Sequence, residues 1–247
     1  MALIDARFYS KTLNKHVGLF AIIPEVCPGP FPVFYLLHGL SDDYSTWQRR
    51  TRIEHYVRDL PLIVVMPDGF RDFYTDHHDG PASGRYLMED VIGFSEHTFP
   101  AVGTRSGRCI GGLSMGGYGS LRLALAYPEM FVSANSHSGA GFPWKRPDPE
   151  RQRIFGPAPE GSAHDLLALA SNLKKSAEPI PELLIDCGTE DFLIEDNRAI
   201  HAHFDQIELA HEYHEFPGAH DWDYWDLHIR DALEFHCRAL GIMKKEQ

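Results

Sequence analysis

The chain has 247 residues, 43% of them hydrophobic, and a formal net charge of −12 at pH 7. This length and composition suit one large domain with its own core. The negative charge argues against nucleic acid or an anionic membrane as a partner, because both attract basic patches.

Apolar runs typical of β-strands alternate along the chain with segments of helical periodicity. The predicted strands cover residues 16–24, 31–39, 61–69, 108–114, 131–139, 181–188 and 212–218, with a Pro/Gly turn joining the first two. The predicted helices cover residues 46–60, 84–99, 117–128, 164–173, 197–209 and 226–240. This alternation predicts an α/β fold with a mostly parallel central sheet and helices on both faces. Functional loops are then expected at the carboxyl ends of the strands.

Residues 141–180 interrupt this alternation, because they are rich in proline, glycine and charged residues and only residues 164–173 have a helical pattern. We expect a single domain over residues 1–247 in which residues 141–180 form a lid-like insertion. A surface loop without a role is the alternative interpretation.

The four cysteines are widely spaced and none forms a CxxC pair. We expect all four to be buried free thiols in a reduced, cytoplasmic protein; they are Cys27, Cys109, Cys187 and Cys237. The chain contains no apolar run of about 18 residues, and its N-terminus lacks the pattern of a secretory signal. The sequence leaves open whether the protein is a monomer or a homo-oligomer.

The stretch GGLSMGGYGS places five glycines around Ser114, between a predicted strand and a predicted helix. Gly112 to Gly116 has the pattern G-x-S-x-G, typical of a nucleophile elbow that projects a serine hydroxyl above the sheet. The N–H of Met115 would then be one donor of an oxyanion hole. A glycine-rich turn that only permits close packing is the alternative.

A nucleophilic serine needs a base and a group that orients the base. Asp191 follows a predicted strand and is the favoured acid, with Glu190 as its nearest competitor. His220 follows the last predicted strand and is the favoured base, whereas His211 and His214 are interpreted as residues in or beside that strand. The chain order is serine, acid, histidine, which is the order in α/β-hydrolases.

The strand over residues 31–39 ends at Gly39, so the N–H of Leu40 is the expected second oxyanion donor. Aromatic residues in loops near the same edge are candidates for lining a substrate pocket. The substrate-pocket candidates are Trp47, Tyr74, Trp144 and Trp222. Ordinary loop packing is the alternative for each.

The many histidines show no metal-ligand spacing. His201 and His203 are two residues apart on a helix and point in different directions, and His211 and His214 are three apart on a strand and face opposite sides. No HExxH or cysteine-rich spacing occurs. We therefore expect no metal site.

With these residues identified, the chain resembles the esterase D and S-formylglutathione hydrolase-like family of α/β-hydrolases, and within it most closely the bacterial tributyrin and cinnamoyl (feruloyl) esterases. The similar stretches are YLLHGLSDDYSTW, VVMPDGFRDFYTD, GGLSMGGYGSLRLALAYPEMF, SHSGA, CGTEDFL and PGAHDWDYW. They extend from about residue 33 to residue 225 and so cover most of the chain.

The resemblance implies a cofactor-free serine carboxylesterase acting on small acyl or aryl esters, with Ser114 as nucleophile, Asp191 as acid and His220 as base. It also implies that Leu40 and Met115 supply the oxyanion donors. S-formylglutathione hydrolases usually have GHSMGGHGA at the elbow, and Leu113 replaces that histidine here. Thioester hydrolysis and acyl transfer by the same triad are the alternatives.

Overall fold

A computed structural model describes residues 1–146 and 148–242. Its strands are β1 (Ala2–Ser10), β2 (Lys15–Ile23), β3 (Val33–Leu37), β4 (Ile63–Pro67), β5 (Arg108–Leu113), β6 (Ser133–His137), β7 (Glu182–Gly188) and β8 (Glu212–Phe216). Within the described ranges these eight strands form one sheet in the order β1-β2-β4-β3-β5-β6-β7-β8. The pairs β1–β2 and β2–β4 are antiparallel, and every pair from β4 to β8 is parallel.

Helices connect the parallel strands. They are α1 (Thr46–Arg50), α2 (Ile53–Val57), α3 (Ser83–Arg85), α4 (Ile92–Thr98), α5 (Met115–Ala126), α6 (Pro149–Phe155), α7 (Leu166–Lys175), α8 (Ile194–Gln206) and α9 (Trp222–Ala239). A π-helical turn over Tyr86–Val91 joins α3 to α4. Short 3-10 turns cover Arg105–Gly107 and Pro143–Lys145.

The sheet separates two hydrophobic cores. All of β3 is buried, and its side chains alternate: Val33, Tyr35 and Leu37 belong to one core, and Phe34 and Leu36 to the other. This alternation follows from the two-residue period of a strand. The first core contains side chains of α5, α7 and α8, and the second contains side chains of α1, α2 and α9. The predicted α/β class, with a mostly parallel sheet covered on both faces, is confirmed.

The N-terminal edge of the sheet differs from the prediction. Ala2–Ser10 was not predicted as a strand, yet it pairs with β2 along its whole length, from Ala2 with Ile23 to Ser10 with Lys15. The strand is at the edge and alternately exposed, so its apolar signal is weak. The predicted strands 16–24 and 31–39 follow each other in sequence, but β4 lies between them in the sheet.

The predicted helix over residues 46–60 is interrupted in the structure. Thr51 is extended, with φ −127° and ψ 171°, and its hydroxyl donates to the carbonyl oxygen of Trp47. The N–H of Arg52 donates to the carboxylate of Asp226 on α9. This hydrogen bond joins residues far apart in sequence, so the local periodicity that predicts one helix does not reveal it. It divides the segment into α1 and α2.

The segment 141–180 contains more helix than predicted. Helix α6 was missed, although Asp148 caps it by accepting from the N–H of Arg151 and Pro149 occupies its first position. This Asp-Pro pair is a recognisable start signal. Helix α7 buries Leu166, Ala170 and Leu173 in the first core, so this half of the segment packs against the central sheet domain.

All four cysteines are free thiols. Cys109, Cys187 and Cys237 are buried as predicted, but Cys27 is exposed in the loop between β2 and β3, which corrects the expectation that all four are buried. Among the described helices, none combines the length and the apolar character needed to cross a membrane.

Helix α9 offers a matched test of the second core. Ile229 is fully buried, whereas Leu227 on the same helix is 55% exposed. Because Ile229→Ala removes apolar contacts and leaves a cavity, we expect it to lower the free energy of unfolding by about 2–5 kcal/mol. Leu227→Ala should change it by less than about 0.5 kcal/mol. Urea unfolding of both variants measures this difference, and equal losses would contradict the assigned packing.

Candidate active site

Ser114 connects β5 to α5 in a conformation that is unusual for a residue with a side chain. Its φ is 53° and its ψ is −113°. The backbone is held on both sides: its N–H donates to the carbonyl oxygen of His137 at 2.9 Å, and its own carbonyl accepts from Ala140 at 3.1 Å. Such strain persists only where the surrounding structure imposes it, and it is frequent at functional sites.

The glycines around Ser114 are required by the close approach of α5 to β3. A Cβ on Gly112 or on Gly116 would lie 2.5 Å from the carbonyl oxygen of Leu37. A Cβ on Gly112 would also lie 2.9 Å from the backbone carbon of Gly116. A side chain at either position would therefore push the helix away from the sheet and change the turn that holds Ser114.

The structure brings Ser114, His220 and Asp191 into one hydrogen-bonded chain. His220 Nε2 is 3.0 Å from Ser114 Oγ, and His220 Nδ1 is 2.7 Å from Asp191 Oδ2. Asp191 lies in the turn after β7, and His220 lies in the loop between β8 and α9. An ionised carboxylate can only accept hydrogen bonds, so His220 Nδ1 carries the ring proton. His220 Nε2 then accepts a hydrogen bond from the serine hydroxyl.

Asp191 is almost fully buried, with 2% of the residue exposed. Burial alone would raise the pKa of its carboxyl group, but the hydrogen bonds from His220 and from the N–H of Leu193, at 2.8 Å, outweigh burial and lower it. Asp191 is therefore ionised at neutral pH and can hold the His220 tautomer.

Glu190, the competitor considered from the sequence, and Asp186 on β7 have other partners. Glu190 is exposed and accepts from the N–H of Gly218 at 2.6 Å. Asp186 is buried between His137 Nδ1, at 2.7 Å, and the hydroxyl of Tyr224, at 2.9 Å. These contacts leave Asp191 as the carboxylate on His220.

Three residues that sequence reasoning missed support the His220 ring. Phe192 packs on it with ring centroids 4.5 Å apart, and Trp225 meets it edge-on at 4.9 Å. The indole N–H of Trp225 donates to Ser138 Oγ at 3.3 Å, and Ser138 itself has a φ of 49°. Of these three residues, only Phe192 could have been found from the sequence, because it directly follows Asp191.

Leu40 and Met115, the expected oxyanion donors, line the same cavity as Ser114. Met115 is the first residue of α5, where backbone N–H groups have no partner within the helix. Leu40 follows Gly39, whose N–H donates to the carboxylate of Asp42 at 3.1 Å and so closes the turn after β3.

The cavity above Ser114 has a volume of about 750 Å³ and is open to solvent. Its apolar and aromatic walls include Phe73, Leu113, Phe192, Trp222 and Trp225. Charged side chains of both signs line it as well: Arg50, Arg146, Arg151, Asp42, Asp221 and Asp223. Arg146 and Arg151 come from the segment 141–180, which therefore contributes to this cavity in its first part.

The predicted pocket residues have different locations. Trp222 lines the cavity, and Trp144 lines a neighbouring cavity of about 660 Å³. The predictions for Trp47 and Tyr74 are corrected, because both are about 1% exposed and lie in the cores. Trp47 donates to the carbonyl oxygen of Leu37 at 2.9 Å, and the Tyr74 hydroxyl is held by the backbone of His38. Because the polar group of each ring has a hydrogen-bond partner inside the core, both aromatic side chains can be buried.

Comparisons with known proteins identify the family of the chain. Residues 10–236 match the family described as "Putative esterase". An acetyl esterase of Caldicellulosiruptor saccharolyticus is 32% identical over 97% of this chain and 99% of its own length. The fluorophosphonate-binding serine hydrolase FphF of Staphylococcus aureus superposes with a TM-score of 0.88 at 30% identity, covering 95% of this chain and 97% of that one.

A further solved structure is similar over the same extent. The S-formylglutathione hydrolase FrmB of Staphylococcus aureus has a TM-score of 0.85 and 30% identity, and the match covers 95% of this chain and 98% of that one. The fold, the match to the family and the identity over nearly the whole chain lead to one conclusion: the chain belongs to this esterase family of α/β-hydrolases and is a carboxylic ester hydrolase.

Proposed function

We propose that the protein is a serine carboxylesterase that hydrolyses small acyl or aryl esters through an acyl-enzyme on Ser114. The observation that carries this proposal is the continuous hydrogen-bonded chain from Ser114 through His220 to Asp191, with distances of 3.0 and 2.7 Å. The strained backbone of Ser114 holds the hydroxyl at the floor of a solvent-open cavity. A nucleophile, a base and an orienting acid in this arrangement support acyl transfer.

Acylation begins when His220 Nε2 takes the proton of the Ser114 hydroxyl as Oγ attacks the ester carbonyl carbon. The carbonyl oxygen becomes an oxyanion that the N–H groups of Leu40 and Met115 stabilise. The tetrahedral intermediate collapses, the carbon–oxygen bond to the alcohol breaks, and His220 returns the proton to the departing alkoxide. Asp191 stabilises the imidazolium while it exists.

Deacylation repeats these steps with water as the nucleophile. His220 takes a proton from water, the hydroxide attacks the acyl carbon, and Ser114 leaves with the proton returned by His220. The products are the carboxylic acid and the free enzyme. Water is the only co-reactant, and no step changes an oxidation state.

The walls of the cavity support a small acyl or aryl group. Leu113, Met115 and Phe73 are each no more than 2% exposed and lie beside Ser114 in the cavity lining, where they offer apolar surface. Trp222 adds an aromatic face. The relative of 32% identity is named an acetyl esterase, which supports a short acyl group here.

A second candidate is hydrolysis of S-formylglutathione. One similar structure is an S-formylglutathione hydrolase, and Arg50, Arg146 and Arg151 line the cavity, where they could pair with the carboxylates of glutathione. The three aspartates in the same lining oppose an anionic substrate, so ester hydrolysis is favoured. Comparing kcat/KM for S-formylglutathione and for p-nitrophenyl acetate decides between the two.

Replacement of the nucleophile gives the first test. We expect Ser114→Ala to lower kcat for p-nitrophenyl acetate by roughly 10⁴- to 10⁶-fold, because no acyl-enzyme can form. Alanine has the same backbone strain at this position, so the fold should be preserved. Ser41→Ala is the matched control, since Ser41 is an exposed serine in the lining of the same cavity. A Ser114→Ala enzyme that keeps wild-type turnover would refute the assignment.

Substitution of two adjacent carboxylates, Asp191 and Glu190, tests the assignment of the acid. Asp191→Asn should lower kcat by about 10⁴-fold, because the amide no longer favours the His220 tautomer with a proton on Nδ1. Glu190→Gln should change kcat only a few-fold, because Glu190 contacts the backbone of Gly218 and not His220. Steady-state kinetics of both variants measure this contrast. Equal losses in the two, or a larger loss in Glu190→Gln, would be inconsistent with Asp191 as the acid.

The acyl preference gives a third test. We expect kcat/KM for p-nitrophenyl esters to be highest for acetate or butyrate and to fall at octanoate, because the buried walls beside Ser114 limit the acyl group. A chain-length series with wild-type protein measures this. A maximum at octanoate would contradict a short-acyl esterase while leaving the catalytic residues in place.

A further inference from the structure

Three metal-binding side chains meet on the face of α8 that lies against the loop entering β8. They are His201 and Asp205 on α8 and His211 just before β8, and one ligand atom from each lies within 4.8 Å of the other two. His201 and Asp205 are four residues apart, so they lie on the same face of the helix. None of the three residues takes part in the proposed ester hydrolysis.

A hydrogen bond on the side of the ring away from the cluster fixes the orientation of His211. Its Nδ1 is 2.8 Å from the carbonyl oxygen of Leu209, and a carbonyl can only accept, so Nδ1 carries the proton. The unprotonated Nε2 then faces His201 and Asp205. The His211 side chain is only 3% exposed, and Phe204 packs edge-on against its ring. A ligating histidine in metalloproteins has this same arrangement, with its second nitrogen donating to a carbonyl or carboxylate.

His201 is also held in place. Its ring stacks on Tyr213 with centroids 4.1 Å apart and an interplanar angle of 8°. Its Nδ1 is 2.8 Å from His211 Nε2, and its Nε2 is 3.5 Å from Asp205 Oδ2. Asp205 is 64% exposed, so its carboxylate can adjust its position and leaves the cluster open to solvent.

When both histidines are neutral, one contact of the cluster joins two hydrogen-bond acceptors. With His211 protonated on Nδ1, the Nδ1 proton of a neutral His201 is donated to His211 Nε2. The lone pair of His201 Nε2 then faces the carboxylate of Asp205, an arrangement of two acceptors. A metal ion held by His201 Nδ1 and His211 Nε2 removes this conflict, because the His201 proton then lies on Nε2 and faces the carboxylate. A second proton on His201 would also remove it, and the Co²⁺ experiment distinguishes the two.

We propose that His201, Asp205 and His211 form a site for a divalent transition-metal ion, with Zn²⁺ as its ordinary occupant. Two neutral imidazoles and one carboxylate are a common Zn²⁺ ligand set, and solvent completes the coordination. Tetrahedral Zn²⁺ with ligands at about 2.1 Å separates neighbouring ligand atoms by about 3.4 Å. His201 would ligate through Nδ1, the nitrogen that lies 2.8 Å from His211 Nε2, and Asp205 through Oδ1, which lies 4.0 Å from the same atom. Each of these distances is within about 0.6 Å of that spacing, so small side-chain movements would close the site around the ion.

A metal at this position would connect the C-terminal turns of α8 to the start of β8. Because the ion binds the folded chain, it would stabilise the protein by mass action. The spacing of His201 with His203, and of His211 with His214, predicts no metal site, because the two rings of each pair point in different directions. The structure instead pairs His201 with His211, ten positions apart.

The test uses full-length protein without a histidine tag and Co²⁺ as a spectroscopic probe. We expect wild type to bind one Co²⁺ per chain, with visible absorption bands of a four- or five-coordinate ion that Zn²⁺ abolishes by displacement. We also expect Zn²⁺ to raise the Tm. Asp205→Ala and His211→Ala should each weaken Co²⁺ binding by more than about 100-fold, since even changes behind a ligand cost roughly 10- to 100-fold.

His214→Ala is the matched control, because His214 is a half-exposed histidine on β8 paired with Glu212 outside the cluster. It should keep the Co²⁺ spectrum and the Tm shift. Turnover of p-nitrophenyl acetate shows that each variant is folded, and Asp205→Ala keeps the test valid if loss of the buried His211 disturbs the fold. Absence of Co²⁺ bands in wild type, or equal binding by wild type, Asp205→Ala and His211→Ala, would overturn the proposal.

Discussion

The contact between the start of α5 and the end of β3 is the constraint on which the rest of the site depends. Gly112 and Gly116 both lie against the carbonyl oxygen of Leu37, closer than any side chain would permit. This approach forces the sharp turn at Ser114 and leaves its φ at 53°. The same contact places the first N–H groups of α5 beside the loop after β3, where Leu40 lies.

The parallel order of β5, β6, β7 and β8 then brings the other two residues to Ser114. Because parallel strands end at the same edge, the turns that carry Asp191 and His220 are neighbours although 29 residues separate them. The N–H of Glu190 donates to the carbonyl oxygen of Gly218 at 3.0 Å, which joins the two turns directly. The geometry of the hydrogen-bonded chain is therefore set by the backbone, and the side chains of Phe192 and Trp225 fix the imidazole ring within it.

Local sequence patterns singled out Ser114, Asp191 and His220, because each follows a predicted strand and lies within three residues of a glycine. The same patterns did not predict that Trp47 and Tyr74 are buried, because their burial depends on hydrogen bonds to the backbone of Leu37 and His38. The break between α1 and α2 depends on Asp226, and the pairing of His201 with His211 depends on how α8 packs beside β8. Such long-range contacts leave no trace in the periodicity of a segment.

The central claim is that Ser114 is the nucleophile, and mapping of a covalent adduct tests it most directly. The wild-type protein would be labelled with a fluorophosphonate, digested, and the modified residue located by tandem mass spectrometry. The account predicts a single phosphonylated residue, Ser114, and no labelling after denaturation, since the unfolded serine lacks the base His220. A stoichiometric adduct on another residue, or a protein that stays unlabelled while it hydrolyses esters, would contradict it.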